Sequence, residues 1–290
     1  MRGSGQVGGG LSGREKVENS LETVEKIAEN PSGIRVRLRE YDILSALEFW
    51  GVLGLGQLEA LVFRKREPIP EEERVALFFN EYPRSLYDHY GYKRLLKLEK
   101  ASYIRAHSSS YIAQPPQKVY RLTQRGQKVL IDAIRSSQTT LRRLWPPKAI
   151  FKTLQINAVG LVIREMLELG VSTRHRLRHY WMHVHLGMDK RASLPDLVVS
   201  SHVHGRMFLD ISPGFRQPYR QRWEAYRSHL DENGKMLYLS HHSGIRAEIG
   251  EAAQEAGADY VYVGDWEEFR TYAGNIPFEN YQGRRLRLTD

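Results

Sequence analysis

Cysteine is missing from all 290 residues, so disulfides, thiolate catalysis, iron-sulfur clusters and cysteine-rich zinc fingers are excluded, and any metal would fall to His, Asp or Glu. No apolar run approaches the roughly 18 residues that a membrane-spanning helix needs, and the chain opens on glycines instead of an apolar segment behind a basic start. A cytoplasmic protein with no membrane partner is expected. Walker-type loops, dinucleotide-binding glycine patterns and nucleophile elbows are also lacking, which leaves nucleotide hydrolysis, Rossmann and α/β-hydrolase readings without support. Acidic charge is in short supply, with 34 Asp and Glu against 43 Lys and Arg, a net charge of +9. That excess favours polyanions, because each neutralised phosphate releases counterions, but charge alone does not separate a nucleic-acid binder from an inert basic surface.

Hydrophobic residues make up 41% and aromatic residues 10% of the chain, enough to build a core, and the length suits two domains. Residues 1–33 are Gly-rich and then polar, broken by Pro31-Ser32-Gly33, and read as a flexible arm. Residues 34–140 carry the clearest pattern. Ile43, Leu44, Leu47 and Trp50 share a helical face that Gly51 and Gly54 stop, and a second helix runs over Leu55 to Arg64. After Pro68 and Pro70 come an acidic helix, Glu71 to Asn80, and Ser85 as N-cap of a helix reaching Lys100. On this last helix Leu95 and Leu98 alternate with Tyr87, Tyr90, Lys93, Arg94 and Lys97, so one side packs while the other is cationic and aromatic. Two strands around a polar tip with Pro115 and Pro116 come next, closed by Leu122-Thr-x-x-Gly126 and a further helix.

Helix, helix, recognition helix, hairpin, helix is the order of a winged helix-turn-helix. The competing reading is an amphipathic helix with a solvated charged face; the element order tips the balance toward DNA. Arg84, Tyr87, Tyr90, Lys93, Arg94 and Lys97 are the expected groove and phosphate contacts, and Lys118, Arg121 and Arg125 the wing anchors. This requires Arg94 and Lys97 to face outward and not to lie against the protein's own carboxylates.

A boundary with Ser136, Ser137, Pro146 and Pro147 leads into residues 148–275, where a helix over Phe151 to Leu169 precedes paired strands and then alternating helices and strands. The fold class expected is α+β, with the second domain an α/β unit built on a mixed sheet. Asp196 opens one strand, Asp210 ends the next and Glu165 lies upstream on the helix. Acids at such positions hold Mg²⁺ in restriction-endonuclease-type nucleases, where a lysine two residues past the second acid orients water; here that position is Ser212. Arg216 and Lys235 are the cations considered as replacements, and a degenerate scaffold is the favoured reading.

Histidines 175, 179 and 183 recur at helical spacing and His185, His202, His204, His241 and His242 come after them, a pattern open to metal binding; interleaved Arg174, Arg176 and Arg178 suit phosphate at least as well. Arg216, Arg220, Arg222 and Arg227 surround Tyr219, Trp223 and Tyr226, either as a second DNA surface or as solvated cations around a buried Trp. Residues 276–290, with Arg284, Arg285 and Arg287, read as a basic tail.

The Gln57-Leu58 helix, the Arg94-Leu95 to Tyr103 segment, Val119-Tyr-Arg-Leu-Thr-Gln-Arg-Gly126, Leu194-Pro-Asp196 and Phe208-Leu-Asp-Ile211 together resemble the replication-relaxation family of plasmid and mobile-element proteins. The resemblance implies a winged helix followed by a restriction-endonuclease-like second domain, and a role in plasmid replication control or transfer. Asp210-Ile-Ser212 departs from the acid-x-acid pattern of the family and puts inherited catalysis in doubt. The expected function is sequence-specific binding of double-stranded DNA by a homodimer that regulates replication, transfer or transcription of a plasmid, phage or mobile element. The alternatives are a Mg²⁺-dependent nuclease or nicking enzyme using Glu165, Asp196 and Asp210, and an interaction module that recruits a replication or transfer protein.

Overall fold

The computed structural model describes residues 38–64, 68–81, 89–109, 117–134, 150–173, 194–211, 219–227, 229–230 and 233–289. The N-terminal arm, Arg84, Tyr87, Ser212, Arg216 and the histidines and arginines of 174–185 lie outside them.

The chain enters helix α1 (Leu38–Trp50), which buries Ile43, Leu44, Leu47 and Trp50 at the helical spacing legible in the sequence. Gly51, at φ +78°, then turns the backbone through a region that disfavours a Cβ. The turn leads into a strand, β1 (Val52–Gly54), where the sequence suggested only a helix stop. Helix α2 (Leu55–Leu58) continues into a π-helical turn, Glu59–Phe63. Helices α3 (Glu71–Phe78) and α4 (His89–Lys100) precede the hairpin β2 (Ile104–Ser109) and β3 (Gln117–Leu122), and α5 (Gln124–Ile134) closes this half. Strand β1 pairs antiparallel with β3, giving a three-stranded sheet ordered β1-β3-β2. Helix α4 lies close to the π-helical turn because Gly91 has no side chain: a Cβ there would sit 2.5 Å from the Phe63 ring.

The Leu-Thr-x-x-Gly segment is a structural clasp. Thr123 Oγ1 accepts from the Gly126 N–H at 3.1 Å, capping α5, and donates to the backbone carbonyls of Ser102 and Tyr103. The hydroxyl thus ties the end of the hairpin to the turn after α4.

Helix α6 (Ile150–Glu165) leads into β4 (Gly170–Thr173), β5 (Leu197–Ser201), β6 (Gly205–Ile211), α7 (Tyr219–Arg227), β7 (Lys235–Ser240), α8 (Ser243–Ala256), β8 (Val261–Asp265), α9 (Trp266–Thr271), β9 (Phe278–Glu279) and β10 (Arg285–Leu286). These strands form one seven-stranded sheet, ordered β10-β9-β8-β7-β6-β5-β4, parallel across β6, β7 and β8 and antiparallel on both flanks. Alternation decides which face each strand residue serves. Phe208, Met236 and Tyr238 pack with Tyr219, Trp223, Ile245 and Ile249 of α7 and α8; Met207, Leu209, Ile211, Leu237 and Leu239 belong to the cluster that holds Val159, Leu161 and Ile163 of α6.

Two expectations change here. Residues 276–290 are not a free tail: β9 and β10 extend the sheet, and Phe278, Leu286 and Leu288 are buried. The two halves also share a core. One hydrophobic cluster runs from Ile43 to Leu288, and α6 packs on both sides of it. A Cβ at Gly160 would lie 2.8 Å from the Trp50 ring, Asn157 Nδ2 donates to the carbonyls of Trp50 and Val52 at 3.2 and 2.5 Å, and Gln57 Nε2 donates to Leu154 O at 3.1 Å. Buried amides that satisfy carbonyls of the other half fix the two sheets with respect to each other, because breaking either would strand polar groups away from water.

Candidate nucleic-acid interface

Helix α4 buries Gly91, Leu95 and Leu98 and turns the opposite side to solvent. Tyr90 is 71% exposed, Leu96 is 41% exposed, and Lys93 and Lys100 are exposed as well. The Lys93 ammonium lies 5.8 Å from the centre of the Tyr90 ring, which holds an aromatic face and a cation on one solvent-facing strip.

Arg94 is not on that strip. Its Nη1 donates to Glu40 Oε1 at 2.9 Å, and the Glu40 side chain, in the first turn of α1, is only 3% exposed. A buried carboxylate must be paired, and Arg94 is what pairs it. The requirement that Arg94 face outward therefore fails, and its work is to fasten α4 to α1. Lys97 meets the requirement in part: its Nζ stands 3.8 Å from the same Glu40 oxygen, while its side chain is 41% exposed.

On the hairpin, the Lys118 ammonium stands 5.5 Å from the Tyr92 ring centre, so the base of the wing and α4 present cations side by side. Arg125 is exposed at the start of α5, its guanidinium 5.5 Å from the Tyr103 ring centre. Arg121 is half-buried and sits opposite Arg105 in the strand register. Burial and then the neighbouring Arg105 charge push its guanidinium below the usual range.

The seven-stranded half brings Asp196 and Asp210 together. Asp196 Oδ2 accepts from the Ile211 N–H at 3.0 Å, and Asp210 Oδ1 accepts from the Asp196 N–H at 3.2 Å, a reciprocal clasp between the ends of two neighbouring strands. Two cations complete it: Lys152 Nζ, in the first turn of α6, lies 3.3 Å from Asp196 Oδ2, and Arg222 Nη2 lies 2.7 Å from Asp210 Oδ1 while also donating to Leu194 O. Asp210 is 2% exposed, and burial outweighs the neighbouring Arg222 charge, pushing its carboxyl up to about 6.

Glu165 does not join them. It ends the helix that Lys152 begins, roughly 20 Å away along the axis at 1.5 Å per residue, and pairs with Arg164 at 3.3 Å. Lys235 begins β7, whereas Asp210 pairs with Tyr238 further along that strand, so the expected replacement cations are superseded by Lys152 and Arg222. The set fits Mg²⁺ poorly. Two carboxylates are already balanced by two cations in direct contact, Asp210 Oδ2 is buried without a hydrogen-bond partner, and a dication would be repelled by Lys152 and Arg222 unless it displaced them. Among the described residues no three His, Asp or Glu side chains gather as metal ligands.

Around α7, Tyr219, Trp223 and Tyr226 are buried, with Trp223 Nε1 donating to Tyr238 OH at 2.8 Å, and Arg220 pairs with Glu255. The helix is thus part of the core, with Arg222 turned inward.

Sequence reasoning missed Glu40, Lys152, Arg105 and His107. Glu40 and Lys152 carried no local signal, since each acts on a residue more than forty positions away. Arg105 and His107 could have been found from strand alternation, had β2 been carried past Ile104.

Comparison of the chain with protein-family models, curated proteins and solved structures finds no match to any of them. Among the described residues, no helix is long and apolar enough to cross a membrane.

Proposed function

We propose that this chain binds double-stranded DNA through a winged helix-turn-helix spanning α1 to α5, and acts as a regulator of replication, transfer or transcription of a plasmid, phage or mobile element. The observation that carries the reading is the solvent-facing strip Tyr90, Lys93, Lys97 and Lys100 on the helix directly ahead of a hairpin, with Lys118 beside it. In a winged helix the corresponding helix enters the major groove, which is wide enough to admit it, while lysines meet phosphates on either side. The sheet order β1-β3-β2 and the sequence α1, β1, α2, α4, β2, β3 agree with that architecture, with α3 as an insertion. The net charge of +9 supplies the long-range attraction. Arg94 is left out of the contact set.

The seven-stranded half is restriction-endonuclease-like in its paired strand-end acids, and we read it as a degenerate scaffold that supports the winged helix and a dimer. Lys152 and Arg222 neutralise Asp196 and Asp210, so the four groups serve as a clasp between α6, α7 and the sheet.

Selection of bound duplexes from a random library tests the proposal. Enrichment of one sequence, arranged as two symmetric half-sites, is the expected result, and failure to enrich any duplex contradicts it. Incubation with supercoiled plasmid and Mg²⁺ or Mn²⁺ should leave the plasmid intact; nicking that Asp196→Ala abolishes would overturn the scaffold reading.

A further inference from the structure

The two faces of the hairpin differ in chemistry. Ile104, Tyr120 and Leu122 belong to the core, whereas strand alternation puts Arg105 and His107 of β2 on the opposite face with Val119 and Arg121 of β3. Arg105 and Arg121 are register partners, a placement in which like charges repel at close range. Elsewhere the chain satisfies its arginines: Arg64, Arg94, Arg222, Arg246 and Arg270 each reach a carboxylate. Among the described residues no carboxylate faces Arg105 or Arg121, and the Nε2 of His107 is buried with no hydrogen-bond partner. Ile150 and Leu154, in the first turns of α6, pack on Val52 and Val119 of the same face, and Val52 is the register partner of Arg121 on its other side. The N-terminal end of a helix, with its partial positive charge, thus lies beside an uncompensated pair of guanidiniums.

We propose that Arg105, Arg121 and His107 form an anion site that takes one phosphate of a nucleic-acid backbone on the hairpin face opposite α4. The source of the phosphate rests on the duplex-binding reading above; the site itself rests on this geometry. Two guanidiniums on adjacent strands offer forked donors matched to phosphate oxygens, and protonated His107 Nε2 gains in the phosphate the acceptor it lacks. The bound charge also removes the repulsion between the arginines. Because α4 packs on the other face, this contact adds to those of α4 and does not duplicate them.

The test uses the full chain and a labelled duplex, with binding followed by fluorescence anisotropy over a range of salt. Arg105→Gln with Arg121→Gln should weaken binding about tenfold at physiological salt and reduce the slope of log K against log salt by about 2, since each lost phosphate contact removes roughly 0.9. Its melting temperature should be equal to or above that of the parent, because a repulsive pair has been removed. Unchanged affinity and slope overturn the site while leaving the α4 contacts in place.

A second measurement holds even if the double variant fails to fold. Titration of inorganic phosphate into the parent chain, at matched ionic strength in chloride, should shift the His107 imidazole signals in an NMR spectrum, and the absence of a shift overturns the site. A shift in a chain that binds no duplex overturns the nucleic-acid source and reassigns the site to a phosphorylated small molecule.

Discussion

The two halves of this molecule treat their cations in opposite ways. In the seven-stranded half, Lys152 and Arg222 are drawn onto the carboxylates of Asp196 and Asp210, side chains only 2% exposed, and Arg246 and Arg270 reach Asp265 and Glu81. In the three-stranded half, Lys93 and Lys100 face solvent and Arg105 faces Arg121. A cation satisfied internally stabilises the fold and is lost to a partner, because leaving it would strand a carboxylate out of water; a cation left in solvent keeps its attraction for polyanions. Arg94 shows how near the boundary runs, since it sits on the same helix as Lys93 and is taken up by Glu40.

The contrast can be broken most severely at Arg222. Arg222→Met leaves Asp210 buried without its cation and should cost about 3–5 kcal/mol in urea denaturation, whereas a loss below about 1 kcal/mol would show that the clasp is not needed. Glu40→Gln attacks the equivalent pair in the other half. It should cost about 2 kcal/mol, the value of a hydrogen bond to a charged group, while duplex affinity holds or rises because Arg94 is released. Weakened binding with unchanged stability would place Glu40 in the interface instead.

The raised carboxyl of Asp210 sharpens the comparison through pH. Its folded value of about 6 lies above the ordinary value of 3.8, so the folded state binds this proton more tightly than the unfolded chain does. The contribution is full below the unfolded value and is lost as pH rises through about 6. Denaturation midpoints of the parent, measured against Asp210→Asn, should therefore fall between about pH 4 and 6, and a difference that is flat in pH contradicts the assignment. The smallest effect is expected at Thr123→Ala, which removes the α5 cap and should cost about 1 kcal/mol with duplex contacts intact.

Much of this fold was legible in local pattern. The buried faces of α1 and α4 follow from apolar spacing, and the strands of the second half from short β-branched and aromatic runs bounded by turns. Strands β1 and β4 were hidden because each is only three or four residues long and comes closely after a helix, where glycine reads first as a stop. Asp196 and Asp210 were identified from their strand positions, but their partners were not. Lys152 lies 44 residues before Asp196, and Glu40 lies 54 residues before Arg94, so neither pair leaves a periodic trace. The amphipathic pattern of α4 distinguishes a packed side from a polar one and cannot tell which polar residue at the border will find a carboxylate on another helix. Arg94 is such a border residue, only 27% exposed, and that is why its expected role changed.

The central claim is that solvent-facing lysines of α4 meet DNA phosphates. Its most direct test is the slope of log K against log salt for duplex binding, compared between the parent chain and Lys93→Ala with Lys97→Ala. The account predicts a slope shallower by about 2 and weaker binding throughout, as two phosphate contacts are lost. The same slope and the same affinity in both chains would contradict it.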